Sequence, residues 1–414
     1  MPYGGARDPG PAPTGGPRAR QGRPRRATGR PGGGAGVIFV TKFDPFTSSS
    51  GGASRTRAVL GAYAARGAVP SRLVALERFS RDRLRSDVPV ERHRQDAWDL
   101  LLGLARSRSA TTARYYSRRL ASALADLPDD VPLHVDYSHM LVNVPARSRA
   151  RAVVDCHNVE SELVAQAAQQ ARPGWRRALL ALEAHLLRAF ERRALGRARV
   201  LLCCSAEDRE RLAAWARDVR VFRNGAERMA VAKRPETRAL FVGTVAWGPN
   251  RRGLVWFLRE VWPLVVRQLP GAALDVVGAD PSADVRAAAA STSGVVLHGF
   301  VPSLEPLYET AAVSVAPLLE GSGSRLKILE SVAAATPVVS TPRGAEGIDA
   351  DGVTVVEGAE PFASAVVAAL REPVVLSPDV VTSVSWDRDA PVFDDLAAPR
   401  ARGGDEPDEP DRPD

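Results

Sequence analysis

The chain has 414 residues, 45% of them hydrophobic and 25% charged, which fits a globular protein and is too long for one ordinary core. Its net charge of +8 and pI near 9.9 invite nucleic acid as a partner, but the basic residues are nearly all arginines scattered along the chain. No aromatic-interleaved basic motif, zinc finger or helix-turn-helix accompanies them, which disfavours nucleic acid, and Cys156, Cys203 and Cys204 lack the spacing of a disulfide framework or zinc site.

Residues 1–35 are Gly, Pro and Arg with almost nothing apolar, and read as a disordered basic arm rather than a signal peptide. No apolar run is long enough to span a bilayer, so the expected location is cytoplasmic, with peripheral contact at the inner face of an anionic membrane left open. An N-terminal domain is expected over 36–226. It opens with an apolar strand at Val37–Val40, a Ser/Gly loop through Gly51 and Gly52, and a helix from Ala53 to about Ala65. Glycine there lets a ligand or a backbone approach closely, as at the start of a Rossmann-type unit. Strands at 73–76 and 153–155 follow, with helical periodicity over 95–127. A long helix over 175–195 is expected to bury Leu179, Leu182, Leu186 and Phe190, and a strand at 200–204 ends in the helix cap Ser205.

A second βα series is expected over 227–400, its last helical segment crossing back to the first domain, and 401–414 reads as a disordered acidic tail. Strands at 240–243, 274–278, 295–297, 313–316 and 337–340 alternate with helical segments, which implies a parallel sheet covered on both faces. The predicted fold class is therefore α/β, two tandem Rossmann-like domains facing across a cleft, with ligands at the carboxyl ends of the strands.

The segment Ala316–Gly347 carries the densest chemistry. Gly321, Ser322 and Gly323 expose backbone amides before a helix, and a helix N-terminus attracts anions. Arg325 and Lys327 add cations where a diphosphate would lie, and Lys327 is one of only three lysines in the chain. Glu330, one turn further, suits ribose hydroxyls, while Leu326, Leu329 and Ala333 are expected to face the sheet. An ordinary amphipathic helix with a Lys327–Glu330 surface pair is the plain alternative. Asp349-Ala350-Asp351 has the form of a metal-binding D-x-D but sits in a Gly-bounded stretch that reads as a turn.

This segment resembles the donor-binding stretch of the family 4 retaining glycosyltransferases, enzymes of the GT-B double-Rossmann fold. D-C-H-N-V-E-S at 155–161, C-S-A-E-D-R-E-R-L at 204–212, R-N-G at 223–225, F-V-G-T at 241–244, V-V-G-A-D-P at 276–281 and H-G-F-V at 298–301 fit the same pattern in the same order, over roughly 36–390. The resemblance implies a hexosyl- or related transferase (EC 2.4) that uses a nucleotide-sugar donor and an acceptor such as a sugar, lipid-linked sugar or small metabolite, without cofactor or metal. It implies His157, Arg325 and Lys327 as catalytic residues. For the donor it implies Gly51, Gly52, Gly243, Thr244, Glu320, Gly321, Ser322, Gly323, Ser324, Glu330, Glu346 and Gly347. The family's first acidic position falls on Ser322, with Glu320 two residues early; Arg251 and Arg252 are substitute cations. A sugar-nucleotide epimerase of the same fold and a non-catalytic basic nucleic-acid- or membrane-binding protein are the competing readings.

Overall fold

The computed structural model describes residues 36–46, 51–68, 70–76, 90–128, 131–320 and 325–396. The described chain forms two parallel sheets. The first contains β1 (Val37–Thr41), β2 (Pro70–Leu76), β3 (Val90–His93), β4 (Leu133–Asp136), β5 (Ala152–Cys156), β6 (Val200–Cys203) and β7 (Val219–Val221), in the order β3-β2-β1-β4-β5-β6-β7. The second contains β8 (Arg238–Val242), β9 (Ala273–Val277), β10 (Val295–Gly299), β11 (Val313–Ala316), β12 (Val338–Ser340) and β13 (Val353–Val355), in the order β10-β9-β8-β11-β12-β13. Valine, leucine and isoleucine dominate the central strands because a parallel sheet is covered on both faces. Val40, Val135 and Val154, like Ala239, Phe241 and Val313 in the second sheet, are fully buried.

In each sheet the strand order reverses once, between β1 and β4 and between β8 and β11. Loops leave these neighbouring strands in opposite directions, so a crevice opens at their carboxyl ends. Those two crevices organise the candidate site.

After the helix Ala359–Arg371 the chain returns to the first sheet. Phe393 packs edge-on against Tyr63 and Phe222, with ring centroids 5.3 and 5.1 Å apart, and Asp389 accepts from the Arg223 backbone N–H (2.9 Å) and guanidinium (2.7 Å).

Four local readings are corrected. The first helix begins at Gly51, not Ala53. In Trp175–Leu195 the buried stripe is Ala184, Leu187, Phe190, Glu191, Ala194 and Leu195, whereas Leu179 and Leu182, nearer its start, are exposed. In Leu326–Ala333 the core residues include Ile328 and Val332, while Leu326 is only partly buried. The helical run over 248–268 contains a π-type segment, Phe257–Val261, just before Pro263, whose missing N–H interrupts the regular hydrogen-bond ladder.

Candidate functional site

At the crevice of the first sheet, β1 delivers Lys42, β4 delivers Asp136 and Tyr137, and β5 delivers Asp155 and His157. Asp136 is fully buried, and its carboxylate accepts from Thr41 Oγ1 (2.7 Å) and Thr56 Oγ1 (2.9 Å) and lies 2.7 Å from His157 Nε2. Burial pushes its pKa up, but the charge of His157 and the hydrogen bonds from His157 and Thr41 outweigh burial and hold it below the usual value. His157 is thereby oriented, and its ring stacks on Tyr137 at 3.8 Å. Asp155 is bound on its other side by Arg55, in a fully buried ion pair of 2.7 Å whose guanidinium also donates to the Phe222 carbonyl (2.6 Å).

Lys42 Nζ lies 3.4 Å from the Tyr137 ring centroid. Burial lowers its pKa, with Asp136 and Glu160 opposing, and no carboxylate lies within ion-pair distance among the described residues. Gly52 starts the helix Gly51–Ala64 directly against this wall: a Cβ there would fall 2.0 Å from Tyr137 Oη.

At the crevice of the second sheet, Lys327 Nζ donates to Asn250 Oδ1 and sits 5.2 Å from the Phe241 ring centroid. A Cβ on Gly243 would lie 3.1 Å from this ammonium and 2.8 Å from Asn250 Nδ2, so the loop after β8 approaches so closely only because it is glycine. Asn250 in turn donates to the Thr244 carbonyl at 3.0 Å. Burial lowers the Lys327 pKa to about 8, helped by Arg325 and opposed by Glu330. Glu330, one turn on, is partly buried; burial raises its pKa against the pull of Lys327 and of Arg57, a residue of the first helix of the other sheet. No hydrogen bond or ion pair joins the Glu330 side chain to any described residue, so a Lys327–Glu330 surface pair does not form among them.

Arg325 is placed differently from the expected ligand-facing cation. It caps the helix with φ 49°, is buried, and donates to the Arg343 carbonyl (2.8 Å) and Glu346 (3.2 Å), which Arg343 also engages at 2.9 Å. Glu320 pairs with Arg252, and Arg251 lies 3.5 Å from Asp284. Gly321, Ser322, Gly323 and Ser324 lie outside the described residues. His298 binds Asp275 at 2.7 Å beside Arg238, a structural role.

A cleft of about 690 Å³ between the sheets brings Lys42, Gly51, Gly52, Tyr137 and His157 opposite Leu329, Glu346, Gly347 and Asp349. Gly243, Thr244, Lys327, Glu330 and Glu320 are not in that lining, although Glu330 follows Leu329 on the same helix. Asp349 and Asp351 lie in irregular chain before β13. Ligand-type atoms of Asp136, Asp155 and His157 come within 4.8 Å of one another, a grouping that spacing does not reveal. They do not suit a cation, since Asp155 is already balanced by Arg55 and Asp136 by His157 and two hydroxyls. Lys42, Asp136 and Tyr137 went unnoticed in the sequence; the rarity of lysine was the available signal for the first.

Comparison with known proteins accords with this architecture. The family described as "Glycosyl transferases group 1" matches residues 236–372, the second sheet and its helices. An "Uncharacterized 44.6 kDa protein in cps region" from Klebsiella pneumoniae is 31% identical over 115 residues, 26% of this chain and 30% of that relative's length. Among solved structures, sucrose-phosphate synthase from Thermosynechococcus elongatus aligns at TM-score 0.59 and 18% identity, over 87% of this chain and 97% of that one. WaaG, a glycosyltransferase involved in lipopolysaccharide biosynthesis, aligns at 0.53 and 17%, over 87% and 95%. The lipopolysaccharide outer core galactosyltransferase WaaB aligns at 0.54 and 11%, over 87% and 98%. The chain has the GT-B fold, and its second sheet is similar to the group 1 glycosyl transferases.

Proposed function

We propose that the chain is a family 4 type glycosyltransferase of the EC 2.4 class, moving a hexosyl or related group from a nucleotide-diphosphate sugar to an acceptor hydroxyl. The transfer proceeds with retention and without a metal, in glycan, glycolipid or glycosylated-metabolite synthesis, in the cytoplasm or at the inner face of the membrane. The observation that carries this reading is the helix Leu326–Ala333. It sets the Lys327 ammonium against the Gly243 loop at the crevice of the second sheet, and one turn further a partly buried Glu330 whose carboxylate has no partner among the described residues.

A diphosphate has little to gain from an already paired cation, and among the described residues Lys327 Nζ donates to the neutral amide of Asn250 and meets no carboxylate within ion-pair distance. Charge builds on the leaving diphosphate in the transition state, so an ammonium fixed beside it lowers the barrier. Glu330 accepts from the ribose hydroxyls. Across the cleft His157, oriented by Asp136, faces the transferred sugar, and Lys42 lies on the acceptor side. Attack on the face from which the diphosphate leaves needs no covalent nucleophile.

Thermal shift with UDP, ADP, GDP and their sugars tests the donor assignment. A nucleotide at about a hundred times its Kd stabilises the fold by about 2.7 kcal/mol. Stabilisation by none of them refutes it, and sugar isomerisation without any acceptor would establish an epimerase instead.

A further inference from the structure

We infer that Glu191 is a positioning residue for His157: its buried carboxylate ties together the two segments that carry His157 and Tyr137 to the cleft. This rests on the proposed role of His157 toward the transferred sugar.

The helix Trp175–Leu195 buries a carboxylate where its spacing calls for an apolar side chain. Leu187, Phe190, Ala194 and Leu195 of its inner stripe join the core of the first sheet, and Glu191, among them, is 1% exposed. Among the described residues no cation lies within ion-pair distance of it. Burial pushes its pKa up to about 6, with hydrogen bonds from Ser161 and Glu160 opposing, so near neutral pH the fold carries this charge at a cost. An apolar side chain of similar size would avoid that cost, and packing alone gives no reason for the acid.

The carboxylate holds two loops. Oε1 accepts from the Glu160 backbone N–H at 3.0 Å and from Ser138 Oγ at 3.3 Å, and Oε2 accepts from the Ser161 N–H at 3.1 Å. Glu160 and Ser161 open the helix Glu160–Gln170, whose first amides have no carbonyl one turn back, and Val159 before them makes no side-chain cap. Glu191 is thus a cap supplied from 30 residues beyond Ser161, with its negative charge at the positive end of the helix.

Both ends of this tie reach the site. Asn158 and His157, which line the cleft, precede Glu160 by two and three residues. Ser138 follows Tyr137, whose ring stacks on His157 at 3.8 Å. Tyr137 is held at φ 74°, a conformation that a non-glycine residue keeps only where its surroundings impose it. Its N–H donates to the Asp155 carbonyl at 2.9 Å, and Glu191 anchors the next residue. Asp136 orients the imidazole, and Glu191 fixes the backbone from which it projects.

Glu191→Gln, Glu191→Asp and Glu183→Gln in the full chain test this. Glu183, two turns earlier on the same helix, caps a turn outside the cleft lining, accepting from the Ala110 and Thr111 N–H at 3.0 and 2.8 Å. Hydrogen exchange over residues 157–162 reads the tie without donor or acceptor. It should quicken about tenfold or more in Glu191→Gln, and the His157 imidazole signals should move, whereas Glu183→Gln changes neither. Release of nucleoside diphosphate from UDP-glucose, GDP-mannose or ADP-glucose, whichever is turned over, reads the consequence. In Glu191→Gln kcat should fall about 10- to 100-fold, with nucleoside diphosphate affinity unchanged and Tm within a few degrees of wild type. Glu191→Asp, which keeps the charge, should recover part of the rate, and Glu183→Gln should lose stability and keep its kcat. Unchanged kcat in Glu191→Gln, or exchange no faster than in Glu183→Gln, overturns the proposal. So does a kcat that falls only in proportion to unfolded protein. A wild type that turns over none of the three sugars counts against the sugar-transfer reading alone, and exchange with the His157 signals then decides the tie.

Discussion

Lys327 provides the most discriminating perturbation of the proposed donor site. Its pKa of about 8 in the free protein means that near pH 9 about nine-tenths of the molecules lack the proton. A diphosphate laid against Nζ favours the ammonium, so binding at pH 9 should take up about 0.9 proton, against about 0.5 at pH 8 and about 0.1 at pH 7. Phosphate groups titrate near pH 6 and contribute almost nothing at pH 8 and above. Affinity should accordingly fall about tenfold between pH 7 and pH 9, or about 1.4 kcal/mol. Calorimetry of the tightest-binding nucleoside diphosphate, in two buffers of different ionisation enthalpy, reads uptake and affinity together. Lys327→Met should abolish the uptake and flatten the pH dependence. For the free protein the converse is expected: the depressed pKa costs the fold at low pH, and this group's contribution improves as pH rises from about 8 toward the ordinary lysine value of 10.5. Lys233, also held near 8 by burial, is the control. Its ammonium serves the Ala311 carbonyl (2.7 Å) and Thr336 (2.9 Å), so Lys233→Met should lower stability and leave uptake intact. A wild type that takes up no proton at pH 9, with affinity flat from pH 7 to 10, would remove Lys327 from the diphosphate site.

Glu330→Gln should weaken the same nucleotide about 10- to 100-fold while barely affecting its 2′,3′-dideoxy analogue, with unfolding unchanged; equal losses for both would disconnect Glu330 from ribose. Arg55→Met strands a fully buried Asp155 and should cost about 3–5 kcal/mol in urea unfolding, a loss below 1 kcal/mol showing that the carboxylate finds another partner. Transfer should persist in excess EDTA, because Asp136, Asp155 and His157 are already partnered; loss restored by manganese would reassign that cluster to a metal.

Strands with unbroken apolar runs, such as Val37–Val40 and Leu240–Val242, were legible because a doubly covered sheet demands them. Leu133-His134-Val135-Asp136 was not, although all four residues are fully or almost fully buried. His134 meets Tyr63 Oη at 3.2 Å and Asp136 meets two threonines and His157, partners 21 to 95 residues away that periodicity cannot anticipate. The exposed leucines of Trp175–Leu195 failed for the opposite reason: spacing defines an apolar stripe, but only tertiary structure decides whether anything covers it. In the site, residue types near glycines pointed to Lys327 and Glu330, whereas the inward turn of Arg325 depends on Glu346, which arrives from a loop 21 residues away.

Beside the cleft, the chain crosses between the sheets twice, side by side. Near the first crossing, Ala226 N–H donates to the Val384 carbonyl at 2.9 Å, and Ala226 forms a parallel bridge with Ser385 of the second. Gly225 fits only without a side chain, since a Cβ would lie 2.8 Å from Trp386 N. Arg223 and Arg388 flank these crossings and also line the cleft, and Arg388 donates to the Asn224 carbonyl at 3.0 Å. A change in cleft width would therefore bend 225–226 and 384–385 together, since the two segments are bridged to each other. On either side of the cleft His157 is tied to its own sheet by Asp136 and Glu346 to its own by Arg325. In the proposed reading Lys327, set against the diphosphate, and His157, set against the sugar, belong to opposite sheets, so both the crossings and the cleft stand between the two halves of the reaction.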